Sequence, residues 1–249
     1  MNDRDAYAES FAARGSKYDK AMKQVPESRR EEFMAVVDEL PASQSAVVLD
    51  VPAGGGYLRG YLPARFEYRS YEPVSSFKSG SQEDVERSLL LFPQGSESVD
   101  VVASVAGIHH FQDKEPLFRE MARVTRPGGQ LILADVHHQS SVAAFLDGYV
   151  DASNSTGHRG FYLGDHTLEE LENCGWHVSS AQRKHYHWMF GSEQQMAEYC
   201  HLLFDICHSD FAETRMNIEE SLGIDQLDDG RFGMRWELFV IVAEKNVTS

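Results

Sequence analysis

The sequence predicts an α/β protein built on a largely parallel β-sheet. Short apolar runs alternate with amphipathic stretches from about residue 45 to 138, which is the order of strands and helices in such a sheet. The runs are apolar throughout, as in 99–105, and this is typical of strands buried on both faces. With 249 residues, 42% of them hydrophobic, the chain can fill one core, so we predict a single domain over 1–249.

The first elements follow from the N-terminal half of the chain. Residues 1–44 are predicted as helices that cover the sheet, because Phe33, Val37 and Leu40 recur at helical spacing before a proline. A helix is also expected after the glycine turn near residue 55. The predicted strands of this half, in chain order, are 46–50, 68–72, a short extended stretch at 84–91, and 99–105.

The C-terminal half continues the pattern. An apolar stripe predicts a helix over 113–124, RPGG predicts a turn, and QLILADV predicts a strand at 130–136. Two further helices are expected where a Ser or Thr is followed three residues later by Gln or Glu, the spacing of a capping box. These pairs are Thr167 with Glu170 and Ser192 with Gln195. The remaining elements are two strands and an inserted lid-like lobe, at 177–188, 236–244 and 188–232.

The composition argues against polyanionic partners. Asp and Glu number 39 against 23 Lys and Arg, so the formal charge of −16 would repel nucleic acid and anionic membrane surfaces. The N-terminus lacks a signal-peptide pattern and the chain lacks a long apolar span, so we expect a cytoplasmic protein. Three cysteines without a CxxC pair fit a reducing compartment. The oligomeric state stays open.

A glycine cluster, Gly54 to Gly56, follows the first predicted strand in VVLDVPAGGGYL. Glycines at this place let the chain turn sharply and let backbone N–H groups approach a ligand. The dinucleotide-binding fingerprint needs a third glycine where this chain has Arg59, so an NAD site is disfavoured. A tight structural turn is the other alternative to a cofactor site.

This stretch resembles the first motif of class I S-adenosylmethionine-dependent methyltransferases, an acidic residue followed by G-x-G-x-G. Asp50, Gly54 and Gly56 match, and Pro52 stands where the motif has its first glycine. The resemblance implies that S-adenosyl-L-methionine is the cofactor and that these residues, with Ala53, line its site. It also implies a Rossmann-like, seven-stranded mixed sheet in the order 3, 2, 1, 4, 5, 7, 6, with the seventh strand antiparallel and helices on both faces.

Two further stretches extend the resemblance. Glu72, followed by Pro73, lies 22 residues after Asp50, where the family has an acid that accepts the ribose hydroxyls. In EDVER, Asp84 and Val85 match the position of the adenine contacts. Glu83 and Glu86 are the alternatives for that contact.

The longest resembling stretch, SVDVVASVAGIHHF, adds Ser104 to the predicted cofactor site. It also places His109 and His110 at the carboxyl end of a strand, where open α/β sheets bind ligands. His109 is the candidate general base, since an imidazole with a pKa of about 6.5 can accept a proton at neutral pH. His110 is expected to turn toward the following helix. Tyr18, in SKYD, resembles the tyrosine with which relatives cover the cofactor, where its ring could attract a sulfonium.

The predicted reaction is in-line transfer of a methyl group to a small molecule, which leaves S-adenosyl-L-homocysteine. The methylated atom, O, N, S or C, stays open. A non-catalytic cofactor-binding protein and an NAD(P)-dependent oxidoreductase are the alternatives. We expect no catalytic metal, because no HExxH motif or tight His/Cys cluster occurs. Four aromatic residues suggest a partly apolar acceptor: Phe161, Trp188, Phe190 and Phe232.

Overall fold

The computed structural model describes residues 3–42, 45–77 and 88–247. The helices, in chain order, are α1 (Asp3–Gln24), α2 (Arg30–Val37), α3 (Glu115–Val124), α4 (Ser141–Phe145), α5 (Asp151–Ser153), α6 (Asp165–Asn173), α7 (Glu193–Leu203) and α8 (Phe211–Ser221). The strands are β1 (Val47–Asp50), β2 (Glu67–Ser70), β3 (Val99–Val105), β4 (Thr125–Asp135), β5 (Trp176–Phe190), β6 (Ile224–Gln226) and β7 (Phe232–Lys245). A π-helical turn, Leu146–Val150, joins α4 to α5.

The seven strands form one mixed sheet in the order β2-β1-β3-β4-β7-β5, with β6 paired to β7. Strands β1 to β4 run parallel, and β7 runs antiparallel to β4, β5 and β6. The predicted fold class, a mixed sheet with an antiparallel last strand, is confirmed. The extended stretch predicted at 84–91 is not a strand where it is described, because residues 88–91 form a turn. Residues 84–87 lie outside the described residues.

Both faces of the sheet are buried, as the apolar runs predict. On one face Leu49, Val102 and Leu131 pack against α3 and α6. On the other face Val48 and Val101 pack against α1, α2 and α7. The alternation follows from the strand geometry, in which successive side chains point to opposite faces.

The first crossover differs from the prediction. Instead of an α-helix after the glycine turn, the chain makes one 3₁₀ turn, Tyr57–Gly60, before β2. The reason is length, since Gly60 and Pro63 interrupt the few residues available and neither supports a helix interior. The turn predicted at 126–129 bulges out of β4, where the register shifts between Val99 and Val101 of β3.

The capping signals locate both later helices. Ser192 Oγ accepts the Gln195 N–H at 3.1 Å and so caps α7. For α6 the helix begins three residues earlier than the pair implied, because Gly164 precedes it and Thr167 Oγ1 accepts the Gly164 N–H at 3.1 Å. The segment between β5 and β7, predicted as a lobe at 188–232, contains α7 and α8. Its lid-like role stays a prediction.

Candidate active site

Asp50 ends β1 with a buried carboxyl group. The Tyr68 hydroxyl donates to Asp50 Oδ2 at 2.9 Å. Burial raises the pKa of this carboxyl from 3.8 to about 7, while the Tyr68 hydrogen bond lowers it and the charge of Glu72 raises it. Asp50 therefore changes its charge near neutral pH, at the edge of the sheet where the parallel strands end.

The glycine turn beside Asp50 has left-handed backbone. Gly54 and Gly56 have φ values of +53° and +75°, which glycine adopts without strain. The Gly54 N–H donates to Glu72 Oε2 at 2.8 Å, so the turn is fixed to the segment that follows β2. Both glycines face an open groove that Glu72 also lines.

Glu72 is almost fully buried, with 5% of its surface exposed. Besides Gly54, the Tyr7 hydroxyl of α1 donates to its Oε2 at 2.9 Å, and the Val74 N–H donates to its Oε1 at 2.8 Å. The carboxylate is thus held as a hydrogen-bond acceptor. The Tyr7 hydroxyl thus donates to Glu72 in the way that the methyltransferase resemblance predicts for the ribose hydroxyls of the cofactor.

Asp50, Pro52, Ala53 and Gly54 line a cavity of about 40 Å³, which we name the cofactor cavity. Helix α1 closes it with three aromatic side chains, Tyr7, Phe11 and Tyr18. The Tyr18 hydroxyl is held by Arg29, which donates to it. Tyr18 therefore lies at the cavity on a helix, and not on an exposed arm.

Of the predicted cofactor residues that the structure describes, Gly56 and Glu72 line the groove but not this cavity, and Ser104 and Pro73 line neither. Ser104 lies on β3, where its side chain faces away, and the next residue, Val105, lines the cavity instead. The buried Ser104 hydroxyl has no hydrogen-bond partner among the described residues. Pro73 lines neither the cavity nor the groove. Asp84 and Val85, with the alternatives Glu83 and Glu86, lie outside the described residues.

His109 forms a dyad with Asp135, the last residue of β4. His109 Nδ1 lies 2.7 Å from Asp135 Oδ1, and both side chains are buried. The backbone N–H groups of Ile108 and His109 donate to Asp135 Oδ2 at 2.9 and 3.1 Å. Burial acts to raise the pKa of the Asp135 carboxyl, but His109 and the backbone N–H donors outweigh it, and the pKa is lowered. Asp135 is therefore ionised at neutral pH.

His109 belongs to the wall of a second cavity, of about 60 Å³, which we name the acceptor cavity. It adjoins the cofactor cavity, since both share wall residues, namely Phe11, Tyr18, Arg29 and Ala106. The remaining polar and aromatic lining consists of Arg14, His109, His110, His158, Trp188, Phe204 and Trp236.

His110 also faces this cavity, and the expectation that it turns toward the following helix is wrong. Its ring centroid lies 5.3 Å from that of Phe11 of α1 and 5.8 Å from that of His158. Burial, with the charges of His109, His158 and Arg14, holds the pKa of His110 well below 6.5. Burial also lowers the pKa of His158, although the Asp147 hydrogen bond opposes this. Both side chains are neutral at pH 7.

Another part of the wall is formed by Arg29, which directly precedes α2, and by two tryptophans, Trp188 of β5 and Trp236 of β7. Arg29 donates to Glu32, and the Trp188 indole N–H donates to Glu32 Oε2 at 2.7 Å. The Arg29 guanidinium lies 4.8 Å from the Trp188 ring, and the Trp236 ring stacks on Trp188 at 4.1 Å. Within the described ranges, Arg29 Nε and Trp236 Nε1 are buried without a hydrogen-bond partner.

Comparisons with known proteins agree with this geometry. Residues 49–133 match the family model described as a methyltransferase domain. An uncharacterized methyltransferase of Geobacillus thermodenitrificans is 22% identical over 209 residues, which cover 76% of this chain and 97% of that protein. An uncharacterized methyltransferase of Mycolicibacterium gilvum is 29% identical over 153 residues, 51% of this chain and 59% of the relative. Residues 49–133 therefore form a methyltransferase domain.

A solved structure supports the fold of this methyltransferase. A crystal structure from Thermotoga maritima, described as a methyltransferase and possible histamine N-methyltransferase, superposes with a TM-score of 0.60. It covers 96% of this chain and 99% of its own at 14% identity, so it shows a shared fold alone. The prediction of a methyltransferase enzyme that uses S-adenosylmethionine is confirmed by the family match, against the oxidoreductase and non-catalytic alternatives.

Three residues of the methyltransferase site escaped the sequence reasoning. Asp135 carried a signal that could have found it, because it ends an apolar strand just as Asp50 does. Arg29 and Trp236 carried none, since they come from the two ends of the chain. Of the four aromatic residues expected at the acceptor, Trp188 alone lines the acceptor cavity. Phe161 is partly exposed, and Phe190 packs on Tyr199 at 5.2 Å.

Two kinds of feature are absent from the described residues. No three His, Cys, Asp or Glu side chains in these ranges converge as possible ligands of a metal ion. None of the helices described is both long enough and apolar enough to span a bilayer.

Proposed function

We propose that this methyltransferase O-methylates a small molecule held in the acceptor cavity, with His109 as general base. One observation carries the proposal. The buried His109–Asp135 dyad, 2.7 Å between Nδ1 and Oδ1, belongs to the wall of a cavity that shares four residues with the cofactor cavity. A proton acceptor and a methyl-donor site would thus adjoin one small space.

The chain has suitable residues for the cofactor. The left-handed glycines, Gly54 and Gly56, allow close backbone approach, and the Glu72 carboxylate can accept ribose hydroxyls. Asp50 offers a negative charge near the cofactor cavity, and the Tyr18 ring offers a cation–π surface. When bound, S-adenosylmethionine supplies an electrophilic methyl group on a sulfonium. We give no other charged side chain among the described residues a role in holding the cofactor.

The dyad fixes the tautomer of His109. Because the Asp135 carboxylate is ionised, it can only accept, and His109 Nδ1 must then carry the proton shared with it. The Nε2 lone pair is left to accept a proton. In the proposed step this nitrogen takes the hydroxyl proton of the acceptor as its oxygen becomes methylated, and Asp135 stabilises the imidazolium.

The need for a base favours oxygen as the acceptor atom. A neutral amine already has a lone pair, and a thiol ionises near pH 8.5, so neither gains much from a base. A hydroxyl remains protonated at neutral pH. General-base catalysis contributes about a hundredfold to ten-thousandfold. Positioning the two reactants with water excluded can contribute more, about 7 to 11 kcal/mol.

The test has two parts. The enzyme is incubated with labelled S-adenosylmethionine and a cell extract, and the methylated product is identified, with a methyl ether expected. On that acceptor, His109→Ala should lower kcat about a hundredfold to ten-thousandfold, with the affinity for S-adenosylmethionine nearly unchanged.

The matched control is His185→Ala, because His185 lies on β5 with 72% of its side chain exposed. It should leave kcat and KM unchanged. An N- or S-methylated product, or a His109→Ala enzyme with wild-type kcat, would contradict the proposal.

A further inference from the structure

The lining of the acceptor cavity has an unusual charge composition for this chain. Acidic residues outnumber basic ones by 39 to 23, yet the described residues that line the cavity include two arginines and neither aspartate nor glutamate. Those arginines are Arg14 and Arg29. The carboxylates of Asp135 and Glu32 lie behind His109 and Arg29 and are hydrogen bonded to them. A ligand in this cavity therefore meets cations first.

Two residues of the cavity wall each carry a buried hydrogen-bond donor that lacks an acceptor. Arg29 Nε and Trp236 Nε1 both belong to cavity-lining residues, and neither has a partner among the side chains and backbone described. Each N–H can only donate. A buried donor left unpaired is costly, so a ligand that offers oxygen acceptors to both would be favoured.

The two other histidines of the cavity wall carry no charge at neutral pH. His110 and His158 are held neutral by burial and by the positive charges around them. The His109 imidazole, held at Nδ1 by Asp135, presents the Nε2 lone pair as an acceptor in the same wall. The cavity thus combines donors, cations and one base.

We propose that the methyl acceptor is a small hydroxycarboxylate anion, whose carboxylate lies against Arg29 and whose oxygens accept from Arg29 Nε and Trp236 Nε1. This rests on the proposed function, in which the hydroxyl reaches His109. The cavity volume of about 60 Å³ sets the size. Since one water needs about 10 to 15 Å³ of such volume, roughly four to six non-hydrogen atoms fit.

The experiment measures binding by calorimetry to the enzyme saturated with S-adenosylhomocysteine. The probes are lactate and 3-hydroxypropionate, each compared with its amide, which has nearly the same shape and no charge. The carboxylate should bind at least tenfold more tightly than the amide, because hydrogen bonds to a charged acceptor are stronger. Equal affinities within each pair, or no binding by either carboxylate, would overturn the proposal.

Variants test the two donors. Trp236→Phe removes an N–H but keeps an aromatic ring, and it should weaken carboxylate binding about fivefold to tenfold. Trp176→Phe is the matched control, since the Trp176 N–H already donates to the Phe118 carbonyl at 3.1 Å, away from the cavity. It should change nothing. Arg29→Lys keeps the charge beside Glu32 and removes Nε, and it should weaken binding by tenfold or more.

The outcomes separate this inference from the proposed function. Carboxylate preference in an enzyme whose identified product is an N- or S-methylated carboxylate would leave the carboxylate site standing and defeat O-methylation. Binding of S-adenosylhomocysteine with a methylated neutral product would do the reverse. A Trp236→Phe enzyme with wild-type carboxylate affinity, and with retained S-adenosylhomocysteine binding, would remove the indole from the site and overturn the assignment.

Discussion

Two carboxylates at the ends of β1 and β2 differ in what holds them. Glu72 accepts two backbone N–H groups and one hydroxyl, whereas the Asp50 side chain accepts the Tyr68 hydroxyl. Fewer donors leave the burial of Asp50 less compensated, and burial raises its pKa to about 7. The free enzyme at neutral pH is therefore a mixture of protonated and ionised Asp50.

The titration of Asp50 predicts pH-dependent cofactor binding. Burial disfavours the ionised form of Asp50 and so raises its pKa. The protonated carboxyl therefore contributes folding stability that is fully present below the ordinary pKa of 3.8 and is lost as the pH rises through about 7. A bound sulfonium favours the ionised form. The affinity for S-adenosylmethionine relative to S-adenosylhomocysteine should thus rise about threefold to tenfold between pH 6 and 8. Calorimetry on wild type and Asp50→Asn measures it, and a slope unchanged in the variant would contradict this role.

Asp135 acts through His109, so its substitution has a distinct signature. In Asp135→Asn an amide can donate to Nδ1, which would put the imidazole proton on Nε2 and remove the base. We expect kcat to fall about a hundredfold or more with KM nearly unchanged. Loss of cofactor affinity in place of kcat would indicate a purely structural role.

At the scale of elements, α1 is the part of the fold that governs the cofactor cavity. Its Tyr7 hydroxyl donates to Glu72, and its Phe11 and Tyr18 lie in the walls of both cavities. The cavity of about 40 Å³ is too small for a nucleoside, so a ribose that reaches Glu72 from the cavity side, and not from the open groove, must displace the Tyr7 side chain of α1. The helix competes with the ligand it covers.

This competition predicts that removal of one hydroxyl strengthens binding. Tyr7→Phe deletes the donor to Glu72, and the free enzyme then loses a charge-assisted hydrogen bond that the ribose can supply. The dissociation constant of S-adenosylhomocysteine should fall about threefold to tenfold. Tyr149→Phe is the control, because the Tyr149 hydroxyl bonds to Ser209 far from Glu72, and its affinity should stay at the wild-type value. Weaker binding by Tyr7→Phe would mean that Tyr7 helps to hold the cofactor.

The sequence predicts those elements whose apolar pattern is local. Strand β3 matches the predicted 99–105, and the α7 cap at Ser192 follows from short-range spacing. The short strand β6 escaped prediction because three half-buried residues carry no period, and it exists only by pairing with β7. The seven-residue spacing of Cys200 and Cys207 predicts two buried neighbours on one helix, and this is wrong for Cys207, because α7 ends at Leu203 and leaves that thiol exposed.

The residues of the site also divide into those that a local sequence pattern predicts and those that only the fold brings together. Asp50 and Gly54 come from one short motif and Glu72 follows it at a spacing of 22 residues, so the sequence could propose them as cofactor residues before any fold was known. The donors Arg29 and Trp236 lie more than 200 residues apart in the chain, and both reach the cavity wall through contacts with Trp188 of β5. The misplacement of Ser104 has a simpler cause. One step along a strand reverses the face that a side chain occupies, and a motif does not resolve it.

For the whole molecule, the cofactor cavity lies between the sheet edge and α1, so a ligand there joins the N-terminal helix to the rest of the domain. Binding to the folded state alone, at about one hundred times the Kd, adds about 2.7 kcal/mol to the free energy of unfolding. For a chain of this length each kcal/mol raises Tm by about 2 to 4 °C. S-adenosylhomocysteine should therefore raise Tm by about 5 to 10 °C, and NAD at the same concentration should not.

A matched pair of glutamate variants assigns this stabilisation to Glu72. Glu72→Gln removes the charge that the ribose hydroxyls would meet, and the Tm shift at a fixed S-adenosylhomocysteine concentration should shrink by at least half, because affinity falls with the loss of charge-assisted hydrogen bonds. Glu67→Gln makes the same chemical change on β2, where the side chain is 61% exposed and pairs with Arg69. Its Tm shift should equal that of wild type, since an exposed pair of this kind contributes little. Differential scanning fluorimetry reads both variants side by side. Equal shifts in Glu72→Gln and Glu67→Gln would place the ribose elsewhere and leave Glu72 as a structural acceptor for the glycine turn.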